Sequence, residues 1–258
     1  MNRYLPPITK NLLILNLLFF AATWLLKRSG IDLIVVFASY FPFPPLSPNF
    51  HWYQIISHMF MHGGLAHLFF NMFTLWMFGP AVEQALGTKK FLILYFVSGL
   101  GAYFLFNLVN FLEYRQIVES LTSSNIPLDD VVEYTKINIY GEYPNPYDWL
   151  KTLPQGTDMN EAMKFFSYQV APMLGASGAI CGVMAAFAVL YPDSIIMLII
   201  PPIPLKAKYF IPLLILVSLC FSFQQVEGDN VAHFAHIGGA VFGFFITKYW
   251  MRNRYRWN

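Results

Sequence analysis

The chain has 258 residues, 57% of them hydrophobic and only 12% charged, with a formal net charge of +2. Soluble domains carry roughly a quarter charged residues, so the composition excludes an ordinary water-soluble globule. The missing charge leaves apolar runs of the length that crosses a bilayer, about 20 residues each.

Six such runs lie near residues 10–28, 54–78, 90–112, 175–192, 207–224 and 231–250. The first ends in Lys27 and Arg28 rather than in a small-residue cleavage site, so it is expected to be retained and not removed as a signal. The second holds His58, His62, His67 and Asn71, which lower its hydropathy. Between the first two, residues 29–53 carry Tyr40, Phe41, Phe43, Trp52 and Tyr53, a composition expected at the membrane interface. The long connection 113–174 is acidic. Tyr114, Ile117, Val118 and Leu121 are at helical spacing, Asp129 to Tyr140 predicts a further short helix, and Pro144, Pro146 and Pro154 predict turns. A surface cap of two or three short helices is expected there. Cys181 and Cys220 both fall inside spans, where they read as packing residues and not as a disulfide.

With six spans both termini share a side. Placing them inside puts ten cations there, Arg3, Lys10, Lys89, Lys90, Lys206, Lys208, Lys248, Arg252, Arg254 and Arg256. Six remain outside, Lys27, Arg28, Arg115, Lys136, Lys151 and Lys164. Only Glu83 and Asp193 among the acids fall inside, so the positive-inside bias predicts cytoplasmic termini. The expected location is a bacterial cytoplasmic membrane. The basic tail after Trp250 reads as a topology signal facing anionic lipid and not as a nucleic-acid arm.

Residues 175–178 read GASG and open the fourth run. The first N–H groups of a helix have no intrahelical partner and the dipole there favours negative charge, so Ser177 would stand beside a ready oxyanion site. The alternative is plain packing: Gly178, Gly182, Ala185 and Ala186 are the small residues that membrane helix contacts prefer. GASG is not the Gly-x-Ser-x-Gly elbow of soluble hydrolases.

In the last run, Ala232, His236, Gly239, Ala240 and Gly243 share one helical face. His236 therefore points along a Gly239-x-x-x-Gly243 packing seam that suits a small-residue partner such as the fourth run. An imidazole beside a serine hydroxyl is the activating arrangement for nucleophilic catalysis. The run contains no acid to orient the ring, so a dyad is expected; Asp229 reads as a cap or interface residue. His67 and Asn71 are four apart on one face and suit either oxyanion stabilisation or a polar helix–helix contact. His58 and His62, also four apart, read as structural hydrogen-bonding groups, because His-x₃-His without a Cys or carboxylate is a weak metal signal.

These pieces together resemble the rhomboid family of intramembrane serine proteases in its six-span form. HGGLAHLFFN at 62–71 is similar to the family's His-x₃-Asn segment, and GPAVEQALG at 79–87 to the cytoplasmic turn after it. GASG is similar to the nucleophile motif and AHIGGAVFG at 235–243 to the histidine helix. The resemblance implies an all-α polytopic membrane protein, a six-transmembrane-helix bundle forming a single membrane domain over 1–258, with 113–174 as an external insertion. It implies Ser177 as nucleophile, His236 as base, His67, Asn71 and the Ser177 N–H as oxyanion donors, and Gly239 and Gly243 packing the last helix on the fourth. No cofactor or metal is implied. The implied partners are membrane lipids and single-pass transmembrane substrates. Entry of substrate between the second and fifth helices, with 225–231 as a movable cap, is a separate hypothesis. Three departures stand out: Tyr53-Gln54 replaces a common Trp-Arg, Cys181 replaces a tyrosine one turn after the serine, and 113–174 is longer than in compact members.

The competing readings are an inactive rhomboid-like protein that binds membrane clients, a metal-dependent hydrolase built on His58, His62 and His67, and a channel or transporter. The last lacks paired discontinuous helices and intramembrane carboxylates.

Overall fold

The computed structural model describes residues 5–197, 204–210, 212, 213, 216 and 231–252. In chain order its helices are α1 (Pro7–Arg28), α2 (Leu33–Phe37), α3 (Gln54–Ser57), α4 (Leu65–Leu86), α5 (Thr88–Ser123), α6 (Leu128–Tyr134), α7 (Pro146–Leu150), α8 (Met159–Val170), α9 (Ser177–Leu190) and α10 (Val231–Arg252). Two short strands, β1 (Ile195–Met197) and β2 (Pro204–Lys206), lie between α9 and α10. The α1, α4 and α5 helices are long and apolar enough to cross a membrane. The α9 helix has 14 residues and α10 has 22. Of the expected fifth span, 207–224, only residues 207–210, 212, 213 and 216 are described, and they are helical. The expected cap 225–231, save its last residue, lies outside the described residues, as do Asp229, Cys220, Arg254 and Arg256.

Several boundaries differ from the sequence expectation. The second span does not begin at 54. The short α3 helix and a 3₁₀ turn, His58–Phe60, precede a Gly63-Gly64 break, and α4 then runs on to Leu86. Of GPAVEQALG, residues 79–86 are consequently the last two turns of α4, with Pro80 inside the helix, and Gly87 is its C-cap. The third span and the helical start of the connection are one helix of 36 residues, because no glycine or proline lies between Gly101 and Pro127. It ends where Asn125 takes a left-handed φ of 57°, as C-terminal caps do. The helix expected to reach Tyr140 stops at Tyr134. The strands were not expected. Pro204 disfavours a helix at β2, and Ile195 and Ile196 suit the extended backbone of β1.

The chain divides into two compact units. One comprises Met1–Leu17, Gly64–Phe106 and Gly175–Asn258. In it, Glu83 on the last turn of α4 accepts from Ile8 N at 2.9 Å, Thr9 N at 2.7 Å and Thr9 Oγ1 at 2.7 Å. A buried carboxylate thus satisfies the orphan donors that start α1, at the end where the helix dipole favours negative charge. The approach needs Gly79: a Cβ there would stand 3.0 Å from Thr9 Cγ2. At the same end, Tyr191 after α9 donates to Ala81 O of α4 at 3.2 Å.

The other unit comprises Leu18–Gly63 and Asn107–Leu174. The expected surface cap is here a packed body with its own core. Phe41 from the first connection packs with Tyr114, Ile117 and Leu121 of α5, Val131 of α6, Trp149 of α7 and Phe165 and Phe166 of α8. Asp158 caps α8 by accepting from Asn160 N and Glu161 N. Buried Asn49 ties the parts together, donating to Thr135 O at 2.9 Å and Gln169 O at 3.1 Å and accepting from Ile137 N at 2.8 Å. That side chain is also why α6 ends early: Ile137 N finds its acceptor on residue 49 and not on a preceding helical turn. Ser39 and Met173 exchange backbone hydrogen bonds of 2.8 and 2.6 Å, joining the two chain segments of the unit.

Candidate active site

Small residues create the site by letting three helices approach at backbone distance. On α9 these are Gly178 and Gly182, and on α10 Ala235, Gly239 and Gly243, each set at a spacing of four. A Cβ built on Gly239 would overlap the Gly178 carbonyl oxygen, and one on Gly243 would overlap the backbone of Gly182. The α5 helix lines the same seam. Ala102 and Ser98 fill the space beside Gly178 and Gly182, and a Cβ on Gly238 would lie 2.8 Å from Gly101 O and 3.0 Å from Ala102 Cα. Sequence reading found Gly239 and Gly243 but not Gly238, Ser98, Gly101 or Ala102. Small residues on α5 were the available signal, and without a known partner helix they had no direction to point in.

This packing fixes the depth of two side chains. Ser177 is the first residue of α9 and His236 lies in the second turn of α10. His236 Nε2 is 2.8 Å from Ser177 Oγ. Both residues are half-buried, so the pair is held by packing yet open to an approaching group. Gly175, two residues before the serine, has φ +121°, a conformation that favours glycine. A Cβ there would also stand 2.8 Å from His67 Nε2 and 3.8 Å from Ser177 Oγ. His67, in the first turn of α4, is therefore beside the serine. Asn71, one turn further along, is buried, and among the described residues its Nδ2 donates to nothing. All four residues singled out from sequence belong to the same compact unit.

The other histidines do different things. His58 is buried with Nδ1 2.8 Å from Gln54 O, and the ring of His51 stacks on Tyr53 at 5.5 Å. His62 is also buried, in the same unit as both. Among the described residues no group of three His, Cys, Asp or Glu side chains is placed to hold a metal. Cys181, one turn after Ser177, is a buried free thiol. At the far end of α9, Asp193 accepts from Lys206 and Lys208 at 3.0 Å each, and these ammonium groups, Lys208 first, hold its carboxyl below the usual carboxylate range.

Chemically the arrangement offers a hydroxyl in contact with an imidazole, at the N-terminus of a helix whose first amides lack intrahelical acceptors, with a second imidazole and an unpaired amide donor alongside. Comparison with known proteins bears on the family of the chain. The Rhomboid domain family model matches residues 49–121 and 153–253, more than half of the chain. The unmatched gap, 122–152, holds α6 and α7. An uncharacterized mitochondrial rhomboid protein of Schizosaccharomyces pombe is 28% identical over 212 residues, covering 78% of this chain and 52% of that protein. Rhomboid protease GlpG of Salmonella choleraesuis is 33% identical over 94 residues, 36% of this chain and 32% of that protein. Rhomboid protease GluP of Bacillus subtilis is 39% identical over 49 residues, 19% of this chain and 10% of that protein. The chain thus spans between a tenth and about half of the length of these relatives. With the family model matched over more than half of its length and with its apolar helices, this all-α integral membrane protein belongs to the rhomboid family.

Proposed function

We propose that the chain is an intramembrane serine endopeptidase that cleaves single-pass transmembrane proteins through a Ser177–His236 dyad. The observation that carries this is the 2.8 Å contact between His236 Nε2 and Ser177 Oγ. Ser177 Oγ attacks the scissile carbonyl carbon while its proton passes to His236 Nε2. The tetrahedral oxyanion accepts hydrogen bonds from the α9 amides, His67 and Asn71 Nδ2. Collapse expels the amine, which takes the proton from His236, and leaves an acyl-enzyme. Water, deprotonated by His236, then attacks the ester and frees the serine. The step needs water, and the half-buried state of both dyad residues supports access from one side of the bundle.

The substrate must present a carbonyl that a helix would otherwise hide, so helix-weakened segments near the membrane surface are the substrate class. Orientation follows from charge. Lys10, Lys89, Lys90, Lys206, Lys208, Lys248 and Arg252 belong to the helix ends away from Ser177, which supports cytoplasmic termini and a site opening to the other side.

The test uses purified protein in proteoliposomes with a model single-span substrate. Wild type is expected to cleave with or without chelator, and Ser177→Ala to be inactive while folded. Wild type without activity, or an active Ser177→Ala variant, would reject the assignment and favour a client-binding or metal-dependent protein.

A further inference from the structure

The β1–β2 ribbon has no counterpart in the proposed chemistry, and its composition is unusual for a connection between helices. Residues 195–205 read IIMLIIPPIPL, eleven positions without one polar side chain, bracketed by Asp193 and Ser194 before and Lys206 and Lys208 after. The strands pair antiparallel, with Ile195 opposite Lys206, Ile196 opposite Leu205 and Met197 opposite Pro204. Side chains alternate, so Ile196 and Leu205 share one partly covered face while Ile195, Met197, Pro204 and Lys206 share the exposed one. Ile195 is 69% exposed and Met197 59%, and Tyr209, three residues after β2, is 64% exposed with the Lys208 ammonium 5.4 Å from its ring centroid. A face of bare isoleucine, methionine and proline with a lysine at its end is costly to leave in water.

The rest of the fold says what covers it. The ribbon follows closely on α9, which is tied to α4 through Tyr191 just past its end, and its base is closed by Ala207 N to Ser194 O at 2.8 Å and Lys208 N to Pro192 O at 3.1 Å. It therefore sits at the basic end of the helices, opposite the Ser177 end of α9. We propose that the β1–β2 ribbon is an interfacial anchor that seats on the anionic lipid leaflet at that end, with Ile195 and Met197 at the headgroup–acyl boundary and Lys206 and Lys208 on lipid phosphates. A two-stranded ribbon has open edges whose amides need water or headgroup partners, so it lies in the interface rather than in the hydrocarbon. Asp193 offsets one of the two lysines and holds both at the ribbon's base. The site carries one net positive charge, and each such charge near an anionic leaflet strengthens binding about fivefold.

The experiment labels Met197→Cys with an environment-sensitive dye in the full chain reconstituted in phosphatidylcholine vesicles with and without phosphatidylglycerol, with Glu133→Cys as the water-exposed reference. The expected result is quenching of the 197 label by lipids brominated near the headgroup, protection from aqueous iodide, and an increase with phosphatidylglycerol that is lost in Lys206→Gln/Lys208→Gln. A 197 label that responds to iodide like the 133 label overturns the proposal. So does a label shielded from both quenchers, which would mean a protein cover such as a second copy. Lipid quenching indifferent to phosphatidylglycerol and to the lysines would overturn the phosphate contact. None of these readouts depends on proteolysis.

Discussion

Gly239 of α10 lies so close to Gly178 of α9 that no side chain fits between them, and one turn away the same contact leaves His236 Nε2 2.8 Å from Ser177 Oγ. The dyad distance is thus a packing distance, set by glycines that take no part in chemistry.

Substituting Gly239→Ala must push α10 off α9. Overpacking of this kind costs about 1–3 kcal/mol, and the dyad opens with it. We expect a lower melting temperature together with loss of turnover in proteoliposomes. Unchanged stability and turnover would mean that the helices have slack that the structure does not show.

At Gly175, alanine would meet both a backbone φ of +121° and the His67 ring. Gly156 offers a control, with φ +94° and nothing within 4 Å of a built Cβ. Both Gly→Ala changes carry about 1 kcal/mol of backbone strain, but only Gly175→Ala is expected to abolish cleavage. Equal activities of the two variants would separate His67 from the reaction.

Asn71 has a buried amide nitrogen with no partner among the described residues, so removing it breaks no donor bond there. Asn71→Ala is expected to lower kcat by about 10²–10³, the usual effect of losing one oxyanion donor, with little change in melting temperature. A large loss of stability with an unaltered rate per folded molecule would reassign the residue to helix packing.

Glu83→Ala removes three hydrogen bonds from the start of α1. Bonds to a charged acceptor contribute about 1.5–3 kcal/mol each at most, so unfolding should occur several degrees lower, measured by thermal scanning in detergent. Glu83→Gln keeps an acceptor oxygen and is expected to lose less; equal losses would show that the charge, rather than the bonding, matters.

For Asn49→Ala, Thr135 O and Ile137 N lose the Asn49 side chain as partner inside the second unit, about 1–3 kcal/mol for each unsatisfied group. Faster amide exchange at Ile137 and faster proteolysis between α6 and α7 should follow. Protection equal to wild type would indicate that another group replaces the asparagine.

Sequence order and composition determined the membrane class and the approximate places of the apolar helices, and with the family resemblance singled out the four polar residues and two glycines of the candidate site. They could do so because bilayer thickness sets helix length, and because serine, histidine and asparagine are conspicuous against hydrocarbon. Helical periodicity also put His236 on the same face as Gly239 and Gly243. Only tertiary structure decided that α5 completes the seam through Ser98, Gly101 and Ala102, since a small residue has a direction only once its neighbour is known. The same holds for Glu83, whose role as the cap of α1 joins residues 74 and 75 positions apart. It holds for Asn49 as well, which ends α6 from the far side of the sequence. Long-range hydrogen bonds leave no local pattern, whereas hydropathy and helical phase are written residue by residue.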